Sequence, residues 1–165
     1  MSASRAIIGA VRRFNLHAAE TELEGGEPDG YLTRGDRFGK KIGATRIGGT
    51  VYDLPPGQAI CPYHYEFGDE EWLIVLTGHP TVRHPGGEER LDPGDLVCFP
   101  AGPEGAHKVA NAAGAEADAR VLMISTLQEP SVAVYPDSDK VGVFADDLRL
   151  LVRRDSGVDY WDGEA

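Results

Sequence analysis

Two histidines and two glutamates in the middle of the chain have the residue types and the spacing of a metal site. His64 and Glu66 stand two residues apart, so on an extended strand both side chains leave by the same face. Glu71 follows after a short turn, and His107 begins a later strand-like stretch. Two imidazoles and two carboxylates from three strand-like pieces suit one divalent ion. The sequence therefore predicts a metal site formed by His64, Glu66, Glu71 and His107.

The surroundings of these residues resemble the first of two sequence motifs of the cupins. That motif has a Gly, a His-x-His pair, a Glu and, after six residues, a second Gly. Here His64 is the first histidine, and Glu71 and Gly78 have the spacing of the motif. Glu66 stands where the family has its second histidine, so the identity of the metal stays open.

The second cupin motif also has a counterpart. It has a Gly, five residues, Pro-x-Gly, a His and, after three more residues, an Asn. In this sequence the motif is filled by Gly94, Pro100, Gly102, His107 and Asn111. Two extra residues precede His107, so we expect a longer loop at the mouth of the pocket.

Further segments resemble a group of small bacterial cupins of unassigned activity. These segments are FPAGPEGAHKVAN (99–111), VAVYPDSDKVGVF (132–144) and DYWDGE (159–164). The resemblance implies an all-β fold, the double-stranded β-helix or jelly-roll barrel. The spacing of β-branched and aromatic residues between Gly and Pro turns independently favours an all-β sandwich or barrel.

The strand pattern can be followed along most of the chain. Residues 71–77 are apolar on both faces apart from Glu71, which indicates a strand covered on both sides. Residues 81–92 have the pattern of a hairpin, and 131–144 that of two short strands joined by a PDSD turn. The apolar patch at 148–152 fits a helix or a strand equally well.

The length of 165 residues suits one domain. We divide it into an N-terminal arm (1–30), a barrel (31–145) and a C-terminal extension (146–165). The aromatic end of the extension is expected to pack on its own barrel or on a partner subunit. The resemblance implies a homodimer.

Composition limits the partners and the compartment. The hydrophobic fraction of 41% and the charged fraction of 26% are those of a soluble globular protein. A net charge of -11 argues against nucleic acid and anionic membranes as partners. The two cysteines form no CxxC pair, and no signal peptide is expected, so we predict a cytoplasmic protein.

These features predict a metal-dependent enzyme that acts on a small organic metabolite, as an isomerase, dioxygenase or lyase. Imidazole and carboxylate ligands suit zinc, iron, manganese or nickel. Glu66 and Tyr135 are the candidate catalytic residues, since each can move a proton. One alternative is a non-catalytic module that binds or senses a small ligand. Another is a metal-free epimerase with a histidine base, which would leave Glu66 and Glu71 facing each other without a cation.

Other polar residues are weaker candidates. Glu70 could replace Glu71, but only Glu71 has the spacing to Gly78. His79 and His84 lie on turn-rich segments, where a solvated side chain is expected. We interpret Cys61 and Cys98 as small buried hydrophobic residues.

Overall fold

The protein is described by a computed structural model that covers residues 11–25 and 27–164. Within these residues the chain forms thirteen β-strands and five short 3₁₀ helices. The strands are β1 (Glu22–Gly25), β2 (Leu32–Arg37), β3 (Ile47–Leu54), β4 (Tyr65–Phe67), β5 (Glu71–Thr77), β6 (Thr81–His84), β7 (Gly87–Arg90), β8 (Leu96–Phe99), β9 (Lys108–Ala110), β10 (Ala119–Thr126), β11 (Ser131–Tyr135), β12 (Lys140–Ala145) and β13 (Leu148–Arg153). The 3₁₀ helices are Leu16–Ala18, Lys40–Ile42, Pro103–Gly105, Pro136–Ser138 and Arg154–Ser156.

The strands form three antiparallel sheets. The largest has the order β1-β2-β3-β10-β5-β8, the second has the order β13-β12-β11-β4, and the smallest has the order β7-β6-β9. Crossovers between strands distant in sequence, such as β3 beside β10, are typical of a jelly roll. The all-β jelly-roll architecture expected from the sequence is confirmed, as are the β6–β7 hairpin and the β11–β12 pair. The segment at 148–152 is a strand.

The hydrophobic core lies between the largest and the smallest sheet. It is formed by aliphatic side chains from the inner face of each, together with one aromatic ring. Its buried members are Leu54, Leu73, Val75, Val82, Leu91, Phe99, Val109, Ala119 and Val121. Pro55 and Pro56 follow Leu54 directly, and β3 ends there because proline cannot continue a ladder.

The outer face of the largest sheet is covered by the N-terminal segment. Val51 and Leu122 on that face form a second apolar cluster with Ala19, and Phe14 stacks on Phe38 with ring centroids 4.9 Å apart. The half-buried neighbours of this cluster on β5 are Ile74 and Leu76. The prediction that residues 71–77 are covered on both sides is therefore correct at Ile74 and Leu76, whereas Trp72 on the same outer face is 38% exposed.

The two ends of the chain differ in their contacts. Residues 1–10, which belong to the predicted arm, lie outside the described residues. Strand β13 pairs with β12, whereas residues 154–164 are exposed, with Tyr160 at 83% and Trp161 at 73%. The division into arm, barrel and extension stays a prediction. None of the described residues belongs to a helix that could cross a membrane.

Candidate functional site

The inner face of β5 changes character along its length. Val75 and Leu73 are 1% and 0% exposed and belong to the core. Glu71 is the next residue on the same face and the first residue of the strand. The alternation that places Leu73 in the core therefore directs the Glu71 carboxyl group inward, at the end where the core gives way to a cavity.

His64 and His107 are brought together by their own backbones. The amide of His64 donates to the carbonyl of His107 over 3.1 Å, and the amide of His107 donates back over 2.8 Å. This isolated antiparallel bridge holds the ring centroids 4.8 Å apart. The His107 ring also stacks on Phe99 at 3.7 Å with an angle of 9° between the planes, which fixes its orientation.

Both imidazoles are hydrogen-bonded through Nδ1 to a backbone carbonyl. The oxygen partner is that of Pro62 for His64, at 3.0 Å, and that of Gly105 for His107, at 2.9 Å. A carbonyl oxygen only accepts, so each Nδ1 carries the proton and each Nε2 presents a lone pair. This arrangement of the outer hydrogen bond is typical of metal-binding histidines.

The longer loop before His107 explains one of these contacts. Its extra residues form the 3₁₀ helix Pro103–Gly105, which places the Gly105 carbonyl beside the ring of His107. A Cβ atom at Gly105 would overlap the carbonyl oxygen of Pro100, so glycine is required at that position. The departure from the family spacing therefore helps to orient a candidate ligand.

Three donor atoms converge in this region. Oε2 of Glu71 lies 3.7 Å from Nε2 of His64 and 3.4 Å from Nε2 of His107. Ligand atoms of these three residues all lie within 4.8 Å of one another. Donors bound at ~2.1 Å to one ion are separated by ~3 to 4 Å, so this donor set fits a divalent metal.

Burial determines the charges of these groups in the metal-free protein. It lowers the pKa of His64, and burial together with the nearby His64 lowers the pKa of His107 to about 4. It also raises the pKa of Glu71 to about 8, an effect to which the Glu66 and Asp69 carboxylates add. The imidazoles are therefore neutral at pH 7, and Glu71 has no cationic partner among them.

Glu66 and Tyr135 lie near the cluster but do not belong to it. Burial and the neighbouring Asp69 raise the pKa of Glu66 to about 7. The ring of Tyr135 stacks against that of His64 with centroids 5.9 Å apart. Glu66 was assigned as a ligand from strand alternation with His64 and from its place at the second histidine of the motif. That assignment and the catalytic roles of Glu66 and Tyr135 stay predictions.

The weaker candidates occupy other positions. Glu70 is exposed and accepts a hydrogen bond from the indole of Trp72 at 2.7 Å. His79 and His84 lie in or beside the β6–β7 hairpin, outside the cluster. Cys61 is partly buried with its sulfur 3.5 Å from Nδ1 of His64.

The prediction that both cysteines are buried is wrong for Cys98, which is exposed. Cys98 lies on the edge strand β8, opposite Trp72 of β5. Trp72 is itself 38% exposed, so the outer face is not fully covered at this point of the sheet.

The three converging side chains line a cavity of about 920 Å³. Aromatic and charged residues that the motifs do not include contribute to its wall, among them Tyr52, Lys140 and Arg149. A second cavity of about 670 Å³ shares Glu71 and Tyr52 with the first, so Glu71 lies where the two meet. Nothing in the sequence pattern identified Lys140 and Arg149, because the pairing of β12 with β13 determines where they lie.

Comparison with protein families gives a match to the cupin domain over residues 50–125. This range contains His64, Glu71 and His107, and the neighbouring structures have the same fold. Residues 50–125 therefore form a cupin domain. A comparison with curated proteins finds no match.

Several solved structures are similar to this chain over most of its length. A sugar phosphate isomerase of the cupin superfamily from Silicibacter pomeroyi has 25% identity and a TM-score of 0.77, covering 91% of this chain and 98% of that one. A proposed sugar phosphate isomerase from Acidithiobacillus ferrooxidans has 23% identity and a TM-score of 0.77, covering 87% and 91%. The polyketide cyclase RemF from Streptomyces resistomycificus has 22% identity and a TM-score of 0.59, covering 74% and 84%.

Proposed function

We propose that this cupin is a metal-dependent enzyme that acts on a small organic metabolite in the barrel cavity. His64, Glu71 and His107 are the proposed ligands of one divalent ion, with Glu66 as a fourth ligand or a proton carrier. The observation that carries the proposal is the convergence of two Nε2 lone pairs and one carboxylate oxygen, with both Nδ1 atoms tied to backbone carbonyls. Zinc, iron, manganese and nickel all suit this donor set.

The chain's own residues would position the ligand and move protons. A bound divalent ion supplies polarisation of a ligand oxygen. Glu66 pairs with Ala133 across β4 and β11, and Tyr135 follows two residues later, so both side chains leave by the same face of that sheet. The Tyr135 ring reaches His64 on that face. We assign the Glu66 carboxyl and the Tyr135 hydroxyl as the groups that donate or accept a proton.

One similar structure bears on the substrate class. The similar protein from Silicibacter pomeroyi is named a sugar phosphate isomerase, and at 25% identity it makes an isomerisation of a phosphorylated sugar one candidate reaction. One fold hosts many chemistries, so the isomerase, dioxygenase and lyase types are to be separated by assay.

The test is the metal content of protein purified without a histidine tag. We expect one divalent ion per chain in the wild type and none in a His64→Ala, His107→Ala double variant. The matched control is His79→Ala, His84→Ala, which removes two imidazoles outside the cluster and should keep the metal. Equal metal content in the two double variants would overturn the proposal. Binding of a metabolite without turnover would instead indicate a sensing or sequestering module.

We also propose that the protein is a cytoplasmic homodimer. Strand β13 is the edge of its sheet and exposes Leu148, Leu150 and Leu151 at 43–46%, while Tyr160 and Trp161 are exposed beyond it. An exposed apolar edge strand is a ready partner for a second copy. Light scattering should give twice the chain mass, and a monomer at micromolar concentration would argue against the dimer.

A further inference from the structure

One wall of the cavity is formed by a single face of the four-stranded sheet. Directly opposed residues in antiparallel strands lie on the same face. Tyr135 opposes Lys140, and Phe144 opposes Arg149. Because Lys140 and Phe144 are four residues apart on β12, both pairs leave by one face, the face that also carries Glu66. Lys140 and Arg149 both line the cavity.

These two cations lack a carboxylate partner among the residues that the structure describes. The Lys140 ammonium lies 5.4 Å from the centroid of the Tyr135 ring, and the Arg149 guanidinium lies 5.8 Å from that of Phe144. Both contacts are with aromatic faces, which attract a cation but do not neutralise it. Two positive charges are therefore available to a ligand in the cavity.

The other charged groups of the cavity wall are mostly paired. Arg37 lies 3.2 Å from Glu24, and Asp137 accepts two hydrogen bonds from Arg83 at 2.5 and 2.9 Å. Among residues 11–25 and 27–164, Glu27 and Glu71 are the other carboxylates that line the cavity, and Glu66 lies on the sheet face that carries Lys140. Unpaired cations in the cavity of a chain with a net charge of -11 concentrate attraction for an anion at that place.

The cations are also close enough to act on a ligand at the proposed metal site. The Tyr135 ring contacts both regions, since its centroid lies 5.4 Å from the Lys140 ammonium and 5.9 Å from the centroid of the His64 ring. A molecule lying along Tyr135 would therefore have one end at Lys140 and the other beside His64. Arg149, farther along the wall, extends the positive surface toward solvent.

We infer that the ligand of this cavity carries a phosphate or carboxylate group at one end, bound by Lys140 and Arg149, and an oxygen donor at the other, directed to His64, Glu71 and His107. Only the second end of the ligand, the oxygen donor directed to His64, Glu71 and His107, rests on the proposed function. The first end depends only on the cationic wall, so it is tested in the metal-loaded and in the chelator-treated protein.

The experiment compares three probes that share one carbon skeleton. These are ribose, ribonate and ribose 5-phosphate, with affinities measured by calorimetry in low salt. We expect the two anions to bind at least about tenfold more tightly than ribose, because a charge-assisted hydrogen bond contributes at least one decade of affinity. The phosphate and carboxylate probes separate the two possible sources of the negative charge.

Variants test whether the preference for anionic probes comes from Lys140 and Arg149. Lys140→Gln should remove most of the preference for the anions, and Arg149→Gln a smaller part, with metal content and melting temperature unchanged. Arg90→Gln is the control, since it removes the same charge from the separate β7 strand, and should keep the preference. Equal binding of the three probes, no binding of any, or equal loss in Arg90→Gln would overturn the inference. A preference that persists in protein lacking metal would support it even if the proposed metal chemistry fails.

Discussion

Asp53 and Glu71 are carboxylates on opposite faces of the same sheet, and their surroundings differ in one respect. Asp53, on β3, accepts hydrogen bonds from Nε and Nη2 of Arg120 at 2.7 and 2.8 Å and from the Thr21 hydroxyl at 2.6 Å. Glu71, on β5, lies beside the Nε2 atoms of two neutral imidazoles, and the Glu66 and Asp69 carboxylates are also near it. Asp53 is paired with a cation, whereas Glu71 has no ion pair with a lysine or an arginine in the described part of the chain.

The pKa values follow this difference. Burial by itself would raise the pKa of Asp53, but the hydrogen bonds from Arg120 and Thr21 outweigh it and hold the pKa below its ordinary value. Burial raises the pKa of Glu71 to about 8 without a compensating cation. A paired buried carboxylate stabilises the fold, whereas an unpaired one costs free energy and is typical of a functional site.

The largest effect is expected from Glu71→Gln. The amide keeps the shape of the side chain but removes the charge, so affinity for a divalent ion should fall by at least about 100-fold, more than is lost with an outer hydrogen-bond partner. At pH 7 the free energy of unfolding of the metal-free protein should stay the same or rise, because Glu71, whose pKa is raised to about 8, takes up a proton on folding and the amide does not. Isothermal calorimetry with zinc and urea denaturation measure the two quantities.

A neighbouring substitution provides the control for this variant. Glu70→Gln changes the adjacent, exposed carboxylate, which bonds the indole of Trp72 rather than the cluster. The metal affinity of Glu70→Gln should equal that of the wild type. If Glu70→Gln and Glu71→Gln lower the metal affinity equally, the contrast between Asp53 and Glu71 has no bearing on metal binding.

The fold was predictable from sequence because its signals are local. Pro55 and Pro56 mark the end of β3, and the PDSD turn marks the β11–β12 pair. The covering of the outer face by Phe14 and Ala19 was not predictable in its details. Those contacts join segments far apart in the chain, and no periodicity of either segment specifies its partner.

The candidate site was predictable where motif spacing fixes a residue. His64 and Glu71 follow the motif spacing, His107 keeps its spacing to Asn111 although two extra residues precede it, and these three side chains converge. Glu66 occupies the position of the motif's second histidine and was placed beside His64 by strand alternation. However, β4 begins only at Tyr65, and a shared face does not determine the distance between donor atoms. The Asp53–Arg120 pair depends on the register of β3 against β10, which sequence alone does not give.

A smaller effect is expected from Asp53→Asn. The variant leaves the guanidinium of Arg120, whose side chain is 22% exposed, without its carboxylate. We expect the free energy of unfolding to fall by about 2 kcal/mol, the size of a hydrogen-bonded pair with charged partners. Metal affinity should be unchanged, and urea denaturation at pH 7 measures the loss. No change in stability would mean that the hydrogen bonds of Asp53 with Arg120 and Thr21 do not stabilise the fold.

The smallest effect is the pH dependence of the difference in unfolding free energy between the wild type and Asp53→Asn. Because the pKa of Asp53 is lowered on folding, its contribution is fully present above its unfolded value of 3.8 and is lost as the pH falls through the folded value. The difference in unfolding free energy between the wild type and Asp53→Asn should therefore be constant from pH 7 to about 5 and shrink below about 4. Other carboxylates titrate in both proteins, so their contributions cancel in the difference if they act independently of Asp53. A difference that grows on acidification would mean that Asp53 gains a proton on folding, as Glu71 does, and that the two carboxylates are not opposites.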